Sequence, residues 1–270
     1  MCGIFGWQLN GVPQRQRRRI AELLAWDMDR RGGHSWGIYC PRTNQVSKGL
    51  GKICQSVGGR ELARLDCFFA HTRFATSGKI TTANAHPFRI GGIVGAHNGM
   101  VSNHDRLNRS YGRACAVDSM HLFHHLAEQE ALCEIEGYGT VEFVRDDQRQ
   151  RVFLATFDGE ICVAQSDFGV IWASTVDAVY DAVEFARIGD WDEVRLEHRK
   201  LYFVQGGKVY DARAAFDVSP FVSPLQSFEH MAVTSDDCMF GPPEDEPGDE
   251  VGWWNDLADE ELEVAWHQWN

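Results

Sequence analysis

Apolar residues recur along this chain in two rhythms. Ile20, Leu23, Leu24 and Met28 fall on one side of a segment running from about 14 to 30, a spacing that predicts a helix. Further helices are predicted near 103–109, 118–132 and 176–187. Short apolar runs predict strands at 3–9, 36–40, 67–72, 90–97, 152–157, 160–165, 169–174, 194–197 and 201–205. Tight connections such as Asp158-Gly159 and Gly206-Gly207 favour antiparallel pairing. The helices are interspersed among the strands without alternating strictly, a pattern that predicts an α+β protein with antiparallel sheets.

The pattern fades after about residue 220. Pro220, Pro224, Pro242, Pro243 and Pro247 punctuate a polar stretch that reads as linker. A short helical pattern follows, with Leu262, Trp266 and Trp269 on one side and Asp256 placed to cap it. We therefore expect a body over 2–228 and an acidic, Trp-rich tail over 229–270. Four of the nine tryptophans lie in the last eighteen residues, and so much aromatic surface is expected to dock on the body or on another protein.

Charge changes the picture of the tail more than that of the body. The net charge is −13, yet residues 229–270 hold thirteen Asp and Glu and no Lys or Arg, so the first 228 residues carry 26 of each sign. Such a chain offers no basic field to nucleic acid. At 270 residues and 44% apolar content it has material for one large domain with a modest appendage. No apolar run is long enough for a signal peptide or a membrane span. The eight cysteines are scattered without a CxxC pair, which argues against a zinc module or disulfide framework and leads us to expect a reducing cytoplasm.

Candidate chemistry begins at Cys2, in Met1-Cys2-Gly3-Ile4-Phe5-Gly6. Removal of Met1 is favoured when the next side chain is small, and would leave Cys2 with a thiol and a free α-amine on one carbon. That pair is a nucleophile beside its own base. Three other stretches bear on it. In His71-Thr72-Arg73-Phe74-Ala75-Thr76-Ser77-Gly78, Arg73 reads either as a surface ion pair or as a fork for a carboxylate. In Ala96-His97-Asn98-Gly99, the Asn-Gly pair reads either as a hairpin turn or as two oxyanion donors, a side-chain amide and a backbone N–H. In Val117-Asp118-Ser119, Asp118 reads either as a helix cap or as a carboxylate for a substrate ammonium.

The strings MCGIFG, RGGHS, HTRFATSG, NAHPF, HNG and VDS stand in the order and spacing of the class II, N-terminal-nucleophile glutamine amidotransferases, and the chain resembles that family. The resemblance is dense over 2–124, thinner to about 205, and strongest to the domain of glucosamine-6-phosphate synthase. It implies a four-layer αββα sandwich of two antiparallel sheets. It implies Cys2 as nucleophile with its own amine as base, Asn98 and Gly99 as the oxyanion hole, and Arg73 and Asp118 as holders of the glutamine α-carboxylate and α-amine. Thr76 matches a further substrate contact and Arg31 a supporting arginine. The implied reaction releases glutamate and ammonia from L-glutamine through a Cys2 thioester, without metal or cofactor. His34, Phe74 and Ser77 depart from the pattern of close relatives.

The stretch after about 205 is too short for a second catalytic domain, so we expect the ammonia to be taken up by a separate synthase or amidoligase. Two alternatives stay open: a stand-alone γ-glutamyl amide hydrolase, and a catalytically silent glutamine-binding or assembly protein. Asp167-Phe168-Gly169 is expected to be a turn, and Asn108-Arg109-Ser110 a glycosylation sequon by letter only. His121, His124 and His125 share a helical spacing that would suit a metal but lack nearby carboxylate or cysteine ligands.

Overall fold

In a computed structural model of the chain, residues 1–76 and 78–221 are described. The strands are β1 (Gly3–Leu9), β2 (Ser35–Cys40), β3 (Gln45–Leu50), β4 (Cys67–Arg73), β5 (Phe88–Ile90), β6 (Ile93–Val101) and β7 (Glu136–Arg145). They continue with β8 (Val152–Phe157), β9 (Cys162–Ser166), β10 (Gly169–Ala173), β11 (Asp192–Glu193), β12 (Lys200–Gln205), β13 (Lys208–Ala215) and β14 (Ser219–Pro220). The helices are α1 (Gln14–Arg31), α2 (Ile53–Ser56), α3 (Gly58–Leu62), α4 (His104–Tyr111), α5 (Met120–Glu128) and α6 (Val176–Ala186).

β1 is almost wholly buried, so it needs cover on both faces and a partner on both edges. It has them. One sheet runs β11-β9-β10-β1-β4-β2-β3 and the other β13-β12-β8-β7-β6-β5, each antiparallel along that order. Phe5, Trp7 and Leu9 face α1 and α6, where Ala21, Ala25, Ala178 and Ala182 keep the helix surfaces low enough for close packing. Ile4, Tyr39, Phe69, Val94, Leu154 and Trp172 fill the space between the sheets. Leu107, Leu122 and Phe123 of α4 and α5 cover the far face of the second sheet. The result is the expected α+β sandwich in four layers, αββα.

Several elements differ from the sequence expectations. The segment predicted as one strand over 90–97 is a hairpin, because Gly91 and Gly92 both take positive φ and turn the chain between β5 and β6. Asp158-Gly159 is not a hairpin turn; it carries the chain from β8 in one sheet to β9 in the other. No strand covers 194–197, where Val194 makes a single backbone bond to Val163 and packs with Leu196 on the inter-sheet core. The helix expected over 118–132 is α5 alone, closed where Gln129 turns left-handed at φ 58°. β3, β7 and β13 and the short helices α2 and α3 were not anticipated. The tail expected over 229–270 lies outside the described residues. Among those described, no helix is long and apolar enough to cross a membrane.

One unanticipated strand carries an anomaly. Glu142 of β7 is fully buried between the sheets. Its Oε2 accepts the Trp172 indole N–H at 2.7 Å, while Oε1 has no partner among the described residues. Burial holds its carboxyl well above the usual range, with the Trp172 bond opposing only in part. The unfolded chain therefore gives up this proton at lower pH than the folded one. Stability falls as pH rises from the ordinary carboxylate range toward the raised value. Glu142→Gln keeps an oxygen for the indole and cannot ionise, so its stability relative to the parent should improve as pH rises, as read in urea unfolding at stepped pH. A constant difference across the pH range would contradict a neutral Glu142.

Candidate active site

β1 delivers Cys2 to one end of the space between the sheets, and its neighbour β4 delivers Arg73 beside it, since Gly3 pairs with Thr72. The approach is tight: a Cβ at Gly3 would lie 2.8 Å from Met28 Sδ and 2.9 Å from Thr72 Oγ1. α1 ends nearby, with Arg30 and Arg31 in its last turn, where basic side chains offset the helix dipole. Arg31 Nε donates to the Cys2 carbonyl at 3.0 Å. Met1 is 76% exposed, and its removal would give up one contact, that of its Sδ with Arg31 Nη2 at 3.8 Å.

The Cys2 thiol sits against the chain leaving β4. Phe74 N–H points to Sγ at 3.3 Å, and Sγ lies 3.5 Å from the Phe74 carbonyl. Burial pushes the thiol up; the Phe74 backbone bond, the N-terminal charge and Arg73 draw it down, and Asp118 opposes them. A thiol held up by burial requires a base at contact to become a nucleophile. Arg73 is itself 2% exposed; desolvation lowers it, and the nearby Cys2 and Asp118 raise it again. Its Nη1 donates to the Lys79 carbonyl at 3.2 Å, tying β4 to the loop that follows.

Two positions that stood apart in the sequence meet here. The His34 ring stacks on Phe74 with centroids 4.8 Å apart, and its Nδ1 accepts the Ala75 N–H at 2.9 Å. His34 thereby fastens the start of the loop that touches Cys2. Thr76 lies exposed further along that loop, and Ser77 is outside the described residues.

Asn98 and Gly99 come from β6 in the facing sheet. They are not a turn: Asn98 pairs with Thr140 and Gly99 with Gly139 inside a continuous ladder. The alternation of β6 sends Asn98 between the sheets and His97 to the helical side. His97 is buried, with Nδ1 2.9 Å from Ser119 Oγ and Nε2 3.3 Å from the Tyr138 carbonyl. A carbonyl only accepts, so Nε2 carries the proton and Nδ1 receives the serine hydroxyl. Burial lowers this imidazole to about 4 against the opposing pull of Asp118, which keeps it neutral. Asp118 is not the cap of α5, a place taken by Ser119. Its Oδ2 instead accepts the Val101 N–H at 2.8 Å, fixing the carboxylate to the end of β6.

The structure thus brings Cys2, Arg31, Arg73 and Asp118 into one neighbourhood from four elements, and ties Asn98 to it through Ser174. That serine follows β10, is buried, and was missed in the sequence. Only its place directly after a strand adjoining β1 could have singled it out. Asn98 Nδ2 donates to Ser174 Oγ at 3.0 Å, and Ile4 N–H donates to the same oxygen at 2.9 Å. His121, His124 and His125 turn to separate neighbours, the Cys115 thiol, Glu128 and the His121 carbonyl, and do not converge.

The chain is 29% identical over 243 residues to the glutamine–fructose-6-phosphate aminotransferase (isomerizing) of Shewanella oneidensis, a match covering 77% of this chain and 38% of that protein. It is 31% identical over 197 residues to the enzyme of the same name from Vibrio vulnificus, covering 63% and 30%. The chain spans less than half the length of these curated relatives. Among solved structures, the glutamine phosphoribosylpyrophosphate amidotransferase from B. subtilis shares the fold, with a TM-score of 0.59 at 17% identity over 80% of this chain and 49% of that one. No protein-family model matches the chain.

Proposed function

We propose that this chain, a homologue of the glutamine–fructose-6-phosphate aminotransferases with the class II glutamine amidotransferase fold, hydrolyses L-glutamine to glutamate and ammonia. The observation that carries this reading is the Cys2 thiol, seated on the Phe74 backbone and within the fields of both Arg73 and Asp118. With Met1 removed, the Cys2 α-amine takes the thiol proton and Sγ attacks the side-chain amide carbon of glutamine. The Asn98 amide and the Gly99 N–H receive the oxyanion. The amine returns the proton to the departing nitrogen, ammonia leaves, and a glutamyl thioester remains. Water, deprotonated by the same amine, releases glutamate and restores the thiol.

Arg73 and Asp118 hold the α-carboxylate and α-ammonium of the substrate, with Thr76 as a further contact and Arg31 fixing the backbone of the nucleophile. An amino-acid head group matches both charges in sign, and a ligand lacking either group forgoes that charge-assisted contact, which is how such a pair selects an amino acid. The released ammonia serves an acceptor, which we place on a separate chain, and the acidic, Trp-rich stretch 229–270 is the segment whose composition supports docking to it. The seven described cysteines are all free thiols, in keeping with a reducing cytoplasm.

Treatment with 6-diazo-5-oxo-L-norleucine, a glutamine-shaped alkylating agent, tests the reading. Ammonia release should stop as one equivalent adds to Cys2 in the Met1-free chain, followed by intact mass and peptide mapping. A Met1-free protein that neither labels nor releases ammonia, alone or with its co-purifying partners, would refute it. Turnover of glutamine beside a γ-glutamyl dipeptide separates amidotransferase from peptide hydrolase: a preference for the dipeptide would favour the latter.

A further inference from the structure

The hydrogen bonds around Ser174 are saturated in a way that fixes more than the fold. Ser174 N–H donates to the Ile4 carbonyl at 2.9 Å, which continues the β1–β10 ladder one step toward Cys2. Ser174 Oγ then has two acceptor sites and one proton to place. Ile4 N–H takes one acceptor site at 2.9 Å and Asn98 Nδ2 takes the other at 3.0 Å. The hydroxyl proton is left to point at the Ile4 carbonyl, 3.4 Å away. The Asn98 amide is oriented with its nitrogen, not its oxygen, toward Ser174 Oγ. In that orientation the nitrogen faces Ser174, spends one of its two hydrogens there and keeps the second. The site is also sheltered: Ser174 is 1% exposed, so water does not compete for the bond.

We infer that Ser174 is a positioning residue for the oxyanion hole: its hydroxyl fixes the Asn98 amide with one N–H turned to the reacting carbonyl, and couples that donor to the strand bearing Cys2. The inference rests on the amidotransferase reading and adds to it a residue that does not touch the substrate. Because Ile4 is two residues from Cys2, the nucleophile and the donor are referenced to one oxygen atom. A displacement of either is then shared by the other, which is what preorganisation of a transition-state contact requires.

The test is a double-mutant cycle on the full chain, with kcat expressed per Cys2 titrated by the diazo reagent, so that unfolded protein does not count. Asn98→Ala should lower kcat by about 10²–10³. Ser174→Ala should lower kcat by about 10-fold or more, with KM for glutamine changed less than about twofold, since the bond matters only as the oxyanion forms. In the Asn98→Ala background, Ser174→Ala should lower kcat no further. Ser174→Thr, which keeps the hydroxyl, should recover most of the single-variant loss. Additive losses, or a Ser174→Ala enzyme with parental kcat, would overturn the inference while leaving the amidotransferase reading intact. A parent protein that releases no ammonia would overturn both.

Discussion

Cys2→Ala should reduce ammonia release from glutamine by about 10⁴-fold or more, because no other group can form the acyl bond. The fold should hold, since the hydrogen-bond partner of the Cys2 thiol is the Phe74 backbone at the start of a loop and not a strand of either sheet. A second variant separates the thiol from the amine. A lysine inserted between Met1 and Cys2 blocks removal of Met1, leaving the thiol in the chain while burying its nitrogen in a peptide bond. With the thiol already pushed up by burial, loss of the neighbouring base should silence the site about as fully as loss of sulfur. Ammonia release by the inserted variant at more than about a tenth of the parental rate would remove the α-amine from the mechanism.

The second large effect is on stability. A Cβ at Gly99 would stand 2.0 Å from the Tyr138 carbonyl oxygen, 2.5 Å from His97 Nε2 and 2.6 Å from Gly139 Cα. The first and third are backbone atoms of the paired strand, so no side-chain rotation relieves the overlap, and β6 must part from β7. Gly99→Ala should cost upwards of about 3 kcal/mol, read as a lowered denaturant midpoint. It should also inactivate whatever remains folded, by moving the Gly99 N–H. Gly33→Ala is the control. Its added Cβ would make ordinary van der Waals contacts, with Lys52 Cγ at 3.5 Å and with Lys52 Cε and the Asp29 carbonyl oxygen at 3.7 Å, and should cost under about 1 kcal/mol. Equal midpoints for the two variants would contradict the close approach at Gly99.

The two-sheet architecture was legible because buried strands such as β1, β8 and β10 are short apolar runs, and that signal survives without tertiary context. β7 escaped because its sequence, Glu136-Gly137-Tyr138-Gly139-Thr140, opens on glycines and polar residues. Those glycines answer to neighbours and not to local propensity: a Cβ at Gly137 would lie 2.2 Å from the Met100 carbonyl oxygen and one at Gly139 2.5 Å from that of Asn98. A buried carboxylate at Glu142 likewise reads as surface until Trp172 is seen against it. Turn chemistry misled in both directions. Asn98-Gly99 looks like a hairpin and lies inside a ladder, whereas Gly91-Gly92 makes a hairpin within what reads as one strand. At the site, residues in recognisable strings could be named in advance. Ser174, one hydroxyl after an apolar strand, carries no local mark, and His34 and Phe74 were noticed singly because their stacking is a property of the fold.

The central place of β1 has a consequence for how the protein comes into being. Strand β1 lies between β4 and β10, so its second edge waits for residues 169–173, made long after β1 itself. Asn98 and Ser174 reach it only once both sheets exist. The proposed site is therefore incomplete until synthesis has passed β10. A chain halted before that point would hold out the bare, apolar edge of β1 as a template for another strand, and its characteristic fate is aggregation, not partial activity.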